Sequence, residues 1–283
     1  MREGVQVGYS ITSGAFGHRG IKAQLEDVEL QITDLAEKGP DCLKSVRSAF
    51  YAVFDGHAGV AAAQYAEENL PINIANKIET PTENENVRKA ILDGFKETDR
   101  EFIKLANEKG LKDGCTAVTV TVINDVMFIA WAGDSKAVLA RREDEKPDSR
   151  LKVLSITKDH TCIVSKERER IVGAGGYVEN NRVQGIMEVT RSIGDKDLKR
   201  YGVSSTPEIQ RVTLSKRDEF MILACDGLWR VMDAKEVVAK TRAYLQEGKS
   251  LDQASMELVR EAVRMREASD NVSALILQFE ATQ

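Results

Sequence analysis

Short, unbroken apolar runs recur along this chain, and each meets a carboxylate at its end. AFYAVF at residues 49–54 runs into Asp55-Gly56-His57, FMILAC at 220–225 into Asp226-Gly227, and VMFIAWA at 126–132 into Gly133-Asp134-Ser135. Runs this short, rich in branched and aromatic residues, predict buried strands. The two Asp-Gly pairs predict turns at the sheet edge. Near the C-terminus the order reverses, and Asp270-Asn271 precedes VSALILQF. An antiparallel strand starts at the edge where its neighbours finish, so four aspartates are expected at one rim of a sheet system.

The rest of the pattern fills in the layers. Residues 5–13 alternate weakly and predict a first strand, followed by a glycine-rich loop, GAFGHRG, at 14–20. That loop lacks the spacing of a phosphate-cradling P-loop. VELQI at 28–32 predicts a second strand. Residues 60–78 are alanine-rich with helical spacing, interrupted at Pro71. Val87, Ile91, Phe95, Phe102 and Leu105 fall at helical steps within 84–109. Residues 114–123 are β-branched and predict one strand, with Asn124-Asp125 as a two-residue hairpin turn. Further strands are expected at 136–141 and 151–157, separated by a charged loop at 143–150. A short polar helix at 164–175 and a small hairpin at 177–183 follow. Thr206-Pro207-Glu208-Ile209 predicts extended chain, and two helices span 234–246 and 251–268. Helices in sequential pairs suit layers outside two mostly antiparallel sheets. The expected fold is α+β, a four-layer α/β/β/α sandwich, with residues 1–283 as one domain.

Composition narrows the partners. Apolar residues make up 42% and charged residues 30%, which suits a globular protein with a sizeable core. A formal net charge of -5 gives no reason to expect nucleic-acid or anionic-membrane binding. The longest apolar run, seven residues, falls far short of the ~20 that cross a bilayer. Cys42, Cys115, Cys162 and Cys225 lack paired spacing, which points to a reducing compartment. The expectation is an intracellular monomer, cytoplasmic or nuclear. The start has no hydrophobic signal region, and Met1 leaves room for targeting sequence upstream.

A cluster of carboxylates with few nitrogen ligands suits hard cations, Mg²⁺ or Mn²⁺. With only His18, His57 and His160, a histidine-rich zinc centre is not expected. Two such ions about 3.5–4 Å apart can share a hydroxide and clamp a phosphate in line. On this reading Asp55 bridges the ions and Asp226 and Asp270 are further ligands. His57 is the acid for the leaving oxygen, and Lys22 or Arg19 grips the phosphate. The chain has no Gly-x-Ser-x-Gly elbow and no cysteine in a phosphate loop with a following arginine, which argues against serine hydrolases and cysteine phosphatases.

The ordered motif set resembles the metal-dependent protein serine/threonine phosphatases of the type 2C (PPM) family. It comprises LED at 25–27, VFDGHAG at 53–59, GCTA at 114–117, AGDSKAVL at 132–139 and KDH at 158–160. It continues with ERERIVGAGG at 167–176, VTRSIGD at 189–195, TPEI at 206–209, ACDGLW at 224–229 and SDNVSALIL at 269–277. The resemblance implies a central β-sandwich and two Mn²⁺ or Mg²⁺ ions per chain. It also implies hydrolysis of phosphoserine and phosphothreonine in protein substrates. By the same match Asp55 bridges the ions, Gly56 offers its carbonyl, Asp226 and Asp270 ligate, Glu26 holds a metal-bound water and His57 is the general acid. Two positions depart from the pattern: the phosphate-gripping arginine aligns with Lys22, and the aspartate expected after Asp-Gly-Leu-Trp is Arg230. In relatives that bind a third, weaker ion, that aspartate and the counterpart of Asp134 hold it. Arg230 is therefore expected either to pair with Asp134 or to turn to solvent, with the third site empty or weak. The alternatives are a catalytically weak binding module and a phosphoesterase acting on small molecules.

Overall fold

The computed structural model describes residues 8–282. Residues 5–7 of the first expected strand lie outside them. In chain order come β1 (Gly8–His18), β2 (Val28–Ile32), two short 3-10 turns (Leu35–Lys38, Asp41–Ser45), β3 (Ser48–Phe54) and the two-residue β4 (Gly56–His57). Helices α1 (Ala61–Ala75) and α2 (Asn84–Lys109) follow. Then come β5 (Gly114–Cys115), β6 (Ala117–Ile123), β7 (Val126–Ala132), β8 (Lys136–Arg142), β9 (Leu151–Ser155) and α3 (Ser165–Gly173). Next are β10 (Val178–Glu179), β11 (Arg182–Val183), β12 (Ile193–Gly194) and α4 (Lys196–Lys199). The chain ends with β13 (Glu208–Thr213), β14 (Asp218–Ala224), α5 (Asp226–Trp229), α6 (Ala234–Gln246), α7 (Leu251–Met265) and β15 (Val272–Thr282).

Two antiparallel five-stranded sheets, ordered β1-β15-β14-β8-β9 and β13-β7-β6-β3-β2, stack face to face. Tyr51, Val53, Val118 and Val120 of one sheet meet Leu139, Met221, Leu223 and Leu275 of the other in the central core. On the outer face of β3, Phe50, Ala52 and Phe54 pack under α1 and α2, among Leu70, Ile91 and Phe95. Ile222, Ala274 and Ile276 pack under α6 and α7, among Val237 and Leu258. Every residue of β3 is buried, because both faces of its sheet are covered. That is why its apolar run is unbroken rather than alternating. The α/β/β/α layering expected from the pattern is the architecture observed. The described residues contain no helix long and apolar enough to cross a membrane.

Three local expectations fail, each for a tertiary reason. The glycine-rich stretch at 14–20 is not a loop. β1 continues through it to His18, paired residue for residue with β15 from Gly8↔Thr282 to His18↔Val272. The long apolar β15 offers a partner for the whole length. Pro71 does not interrupt α1, which runs through it with Leu70, Pro71 and Ile74 buried. Burial of that face outweighs the one backbone bond a proline removes. The single strand expected at 114–123 breaks at Thr116 into β5 and β6. β5 leaves the main sheet to sit between β4 and β12 in a small sheet of its own.

Candidate active site

The edge where these strands end carries a cleft of about 680 Å³. Asp55, Asp134, Asp226 and Asp270 all line it, with Glu26, Gly56, His57 and Lys22. Asp55 follows β3, Asp134 follows β7, Asp226 opens α5 directly after β14, and Asp270 precedes β15. The glycines of the two Asp-Gly pairs act here as points of close approach, not as turns. A Cβ on Gly56 would collide with the Glu26 carbonyl, and one on Gly227 with the Asn271 carbonyl. Each glycine thus lets a crossing segment bring its own carboxylate beside the Asp-Gly aspartate.

Asp55 is shared by two groups of ligating atoms. One oxygen each from Asp55, Asp134 and Asp226 lie within 4.8 Å of one another, as do atoms of Asp27, Asp55 and Cys225. Burial, then the charges of Asp27 and Asp226, push the Asp55 carboxyl well above the usual carboxylate range. Burial and the Asp226 charge push Asp134 up to about 7, against the opposing charge of Arg230. Burial pushes Asp27 up to about 7 as well. Both Asp27 oxygens are buried with no hydrogen-bond partner. Buried carboxylates without partners are costly, and a divalent cation would satisfy them. The donor set is almost all oxygen, and the Cys225 thiol is held protonated by burial. Hard divalent cations therefore fit.

Asp270 lies at the same cleft, but its Oδ1 faces Lys22 Nζ at 3.2 Å and accepts from the Asn271 backbone N–H at 2.8 Å. Arg19 does not line the cleft. Its guanidinium donates to the carbonyls of Lys22 and Ala23, bracing the loop that carries Lys22. Arg230 neither pairs with Asp134 nor turns free to solvent. Its Nη2 lies 2.5 Å from Asp226 Oδ2 and 2.5 Å from Glu188 Oε2.

Several residues at or beside the cleft make contacts that their sequence context does not show. His57 Nε2 lies 2.9 Å from both oxygens of Asp195, whose Oδ2 also accepts from Ser192 Oγ. The small sheet makes this pair: His57 on β4 and Gly194 on β12 both lie opposite Gly114 of β5. Burial works to lower the His57 pKa, but the hydrogen bond and charge of Asp195 outweigh it and raise it. Asn271, nine-tenths buried and more, ties down the opposite wall. Its Oδ1 accepts from the Glu26 N–H at 2.7 Å, and its Nδ2 donates to the Arg19 and Gln24 carbonyls. Asn271→Ala is expected to cost ~1–2 kcal/mol of stability, because it removes three hydrogen bonds that a buried amide makes to half-buried and exposed backbone groups. It should also raise the Mn²⁺ concentration needed for half-maximal activity. Urea unfolding and a Mn²⁺ titration check this; no change in either would refute the bracing role.

His160 anchors the base of the flap formed by residues 160–195. Its Nδ1 accepts from the Gly133 N–H and its backbone N–H donates to the Gly133 carbonyl, one residue before Asp134. Its ring stacks on Trp131 at 5.8 Å. Burial, then the Arg191 charge, hold its pKa down to about 3. Burial alone would raise Glu167, but hydrogen bonds from Arg191, Thr190 and Arg170 hold it at about 2. Both folded values lie below the ordinary 6.5 and 4.5, so the unfolded chain takes up these protons first. Stability from these groups is complete above about pH 6.5 and falls as pH drops, by up to about 1.4 kcal/mol per unit for each. Between about pH 7.5 and 5.5, wild type should lose ~1 kcal/mol more than His160→Gln in urea unfolding. Equal losses would show that the ring is not buried neutral.

The profile of the family described as Protein phosphatase 2C matches residues 12–272. The chain belongs to the protein phosphatase 2C family. It is 37% identical over 272 residues to Probable protein phosphatase 2C 8 of Arabidopsis thaliana, covering 92% of this chain and 76% of that one. It is 36% identical over 279 residues to the human Integrin-linked kinase-associated serine/threonine phosphatase 2C, covering 92% and 70%. In fold it matches the crystal structure of serine-threonine phosphatase 2C from Toxoplasma gondii, with a TM-score of 0.81 over 98% of each chain at 24% identity. This protein phosphatase 2C is a serine/threonine phosphatase, and the clustered acids of its cleft fit the metal dependence of its family.

Proposed function

We propose that residues 1–283 form one catalytic domain that hydrolyses phosphoserine and phosphothreonine in proteins at a centre for two Mn²⁺ or Mg²⁺ ions. The observation that carries this reading is the sharing of Asp55, which lines the cleft, between the two groups of ligating atoms. Asp55, Asp226, Asp134 and Asp270 would hold the ions, with the Gly56 carbonyl, Glu26 and Asp27 as further oxygen donors. When bound, a pair of hard cations supplies a nucleophile at neutral pH and neutralises phosphate charge.

The chain's own groups do the rest. Lys22 Nζ stands at the cleft beside Asp270 and offers a point charge to the phosphate oxygens, without the fixed fork of an arginine. Asp195 holds the Nε2 edge of His57. Nδ1 of that ring makes no hydrogen bond among the described residues, so it is the nitrogen able to give a proton to the departing serine or threonine oxygen. The test is phosphate release from a phosphoserine peptide by protein stripped with a chelator, then given Mn²⁺. Release should appear only with the ion and exceed release from nucleotides. Turnover of nucleotides alone would point to a small-molecule phosphoesterase, and no turnover of any substrate to a binding module.

A further inference from the structure

The position of Arg230 has a consequence for how the flap and the cation site depend on each other. Its guanidinium is divided between two carboxylates of different kinds. Asp226 belongs to the cleft floor, one turn before it on the chain, whereas Glu188 belongs to the flap. Glu188 in turn is held by Arg182 of β11, whose other nitrogen donates to the Ile186 carbonyl. Asp226, Arg230, Glu188 and Arg182 therefore form one charged chain running from the cleft floor to the tip of the flap, and all four line the cleft. At that tip Ile186 is 66% exposed, whereas Val183 and Met187 on either side of it are buried in the small apolar core of the flap.

We propose that Arg230 is a positioning residue that couples cation loading at Asp226 to closure of the flap through Glu188. This rests on the reading of Asp226 as a cation ligand. A guanidinium on Asp226 and a divalent cation on the same carboxylate repel each other. An ion arriving at Asp226 therefore weakens the hold of Asp226 on Arg230, and the guanidinium swings its share of attraction to Glu188. The flap is then held more firmly over a loaded site than over an empty one. Linkage requires the reverse as well: Glu188, by drawing Arg230 away, makes Asp226 a better ligand.

The test needs no turnover. Mn²⁺ affinity is measured by calorimetry, and backbone hydrogen exchange is followed across residues 182–189 with and without Mn²⁺. Wild type should bind Mn²⁺ and show slower flap exchange on loading. Arg230→Gln should bind Mn²⁺ more tightly, by about fivefold or more, and Glu188→Gln more weakly. In both variants Mn²⁺ should no longer slow flap exchange. In the Arg230→Gln background, adding Glu188→Gln should shift affinity less than it does in wild type, because its route through Arg230 is gone. An equal or larger shift there would show that Glu188 acts on the ion directly and would overturn the proposal. So would flap exchange indifferent to Mn²⁺ in a wild type that binds the ion. Absence of Mn²⁺ binding by wild type would overturn the cation centre itself, and the coupling with it.

Discussion

Asp55→Asn should abolish phosphatase activity while making the metal-free protein more stable. Asp55 is the one carboxylate common to both groups of ligating atoms, so its loss removes a ligand from each. The stabilisation lost from the reaction is several kcal/mol, which at about 1.4 kcal/mol per tenfold is a rate loss of roughly 10³-fold or more. The stability gain has a separate origin. Burial and the neighbouring charges of Asp27, Asp226, Asp134 and Asp270 all disfavour the Asp55 carboxylate in the folded chain. An amide of the same size sheds that penalty, and its NH₂ can donate to the surrounding carboxylates. A gain of ~1–3 kcal/mol is expected without metal, which raises Tm by ~2–4 °C per kcal/mol. Added Mn²⁺ should reverse the order, because it stabilises by mass action only the chain that binds it. Thermal unfolding with chelator and with Mn²⁺ measures both signs. A variant that is folded and fully active, or destabilised without metal, would refute the shared-ligand role.

How far the site could be read from the chain depends on what kind of contact makes it. Aspartates at the ends of unbroken apolar runs were legible, because burial of both faces of β3, β7 and β14 leaves a strong one-dimensional signal. Paired helices and the four layers follow from the same signal. The His57–Asp195 pair was not legible from periodicity. It depends on three strands of two residues each, too short to show any alternation, which cross at Gly114. In sequence Asn271 is only a neighbour of Asp270. Its three hydrogen bonds to a loop some 250 positions away in the chain leave no local trace. Asp27 does not stand out beside Glu26, since a buried carboxylate without a partner looks in sequence like a solvated one. Arg230 stands out in sequence as a departure, but the sequence points its charge to Asp134 or to solvent, not to Glu188 and Asp226. Glu188 lies on the flap, in a stretch of isolated bridges and turns where no pattern assigns a position.

His57→Gln should separate substrates by the quality of their leaving groups. The imidazole lines the cleft, is tied at Nε2 by Asp195, and is raised in pKa by that carboxylate against the effect of burial. A ring whose protonated form is favoured by a neighbouring carboxylate, at one wall of the cleft, is suited to protonate a departing alkoxide. Serine and threonine are poor leaving groups and need that proton, whereas p-nitrophenolate leaves without it. General acid catalysis contributes ~10²–10⁴-fold, so phosphoserine turnover should fall by that order while p-nitrophenyl phosphate turnover falls much less. Asp195→Asn should show the same preference in weaker form, since the ring stays but loses its carboxylate. The pH profile gives the sign independently. Only the protonated ring donates, so phosphoserine turnover declines as pH rises through the His57 pKa. Without the Asp195 charge that pKa drops, and the decline should move to lower pH in Asp195→Asn. Equal losses on both substrates, with an unmoved alkaline limb, would make the pair a structural brace for the small sheet and leave the leaving oxygen to be protonated by water.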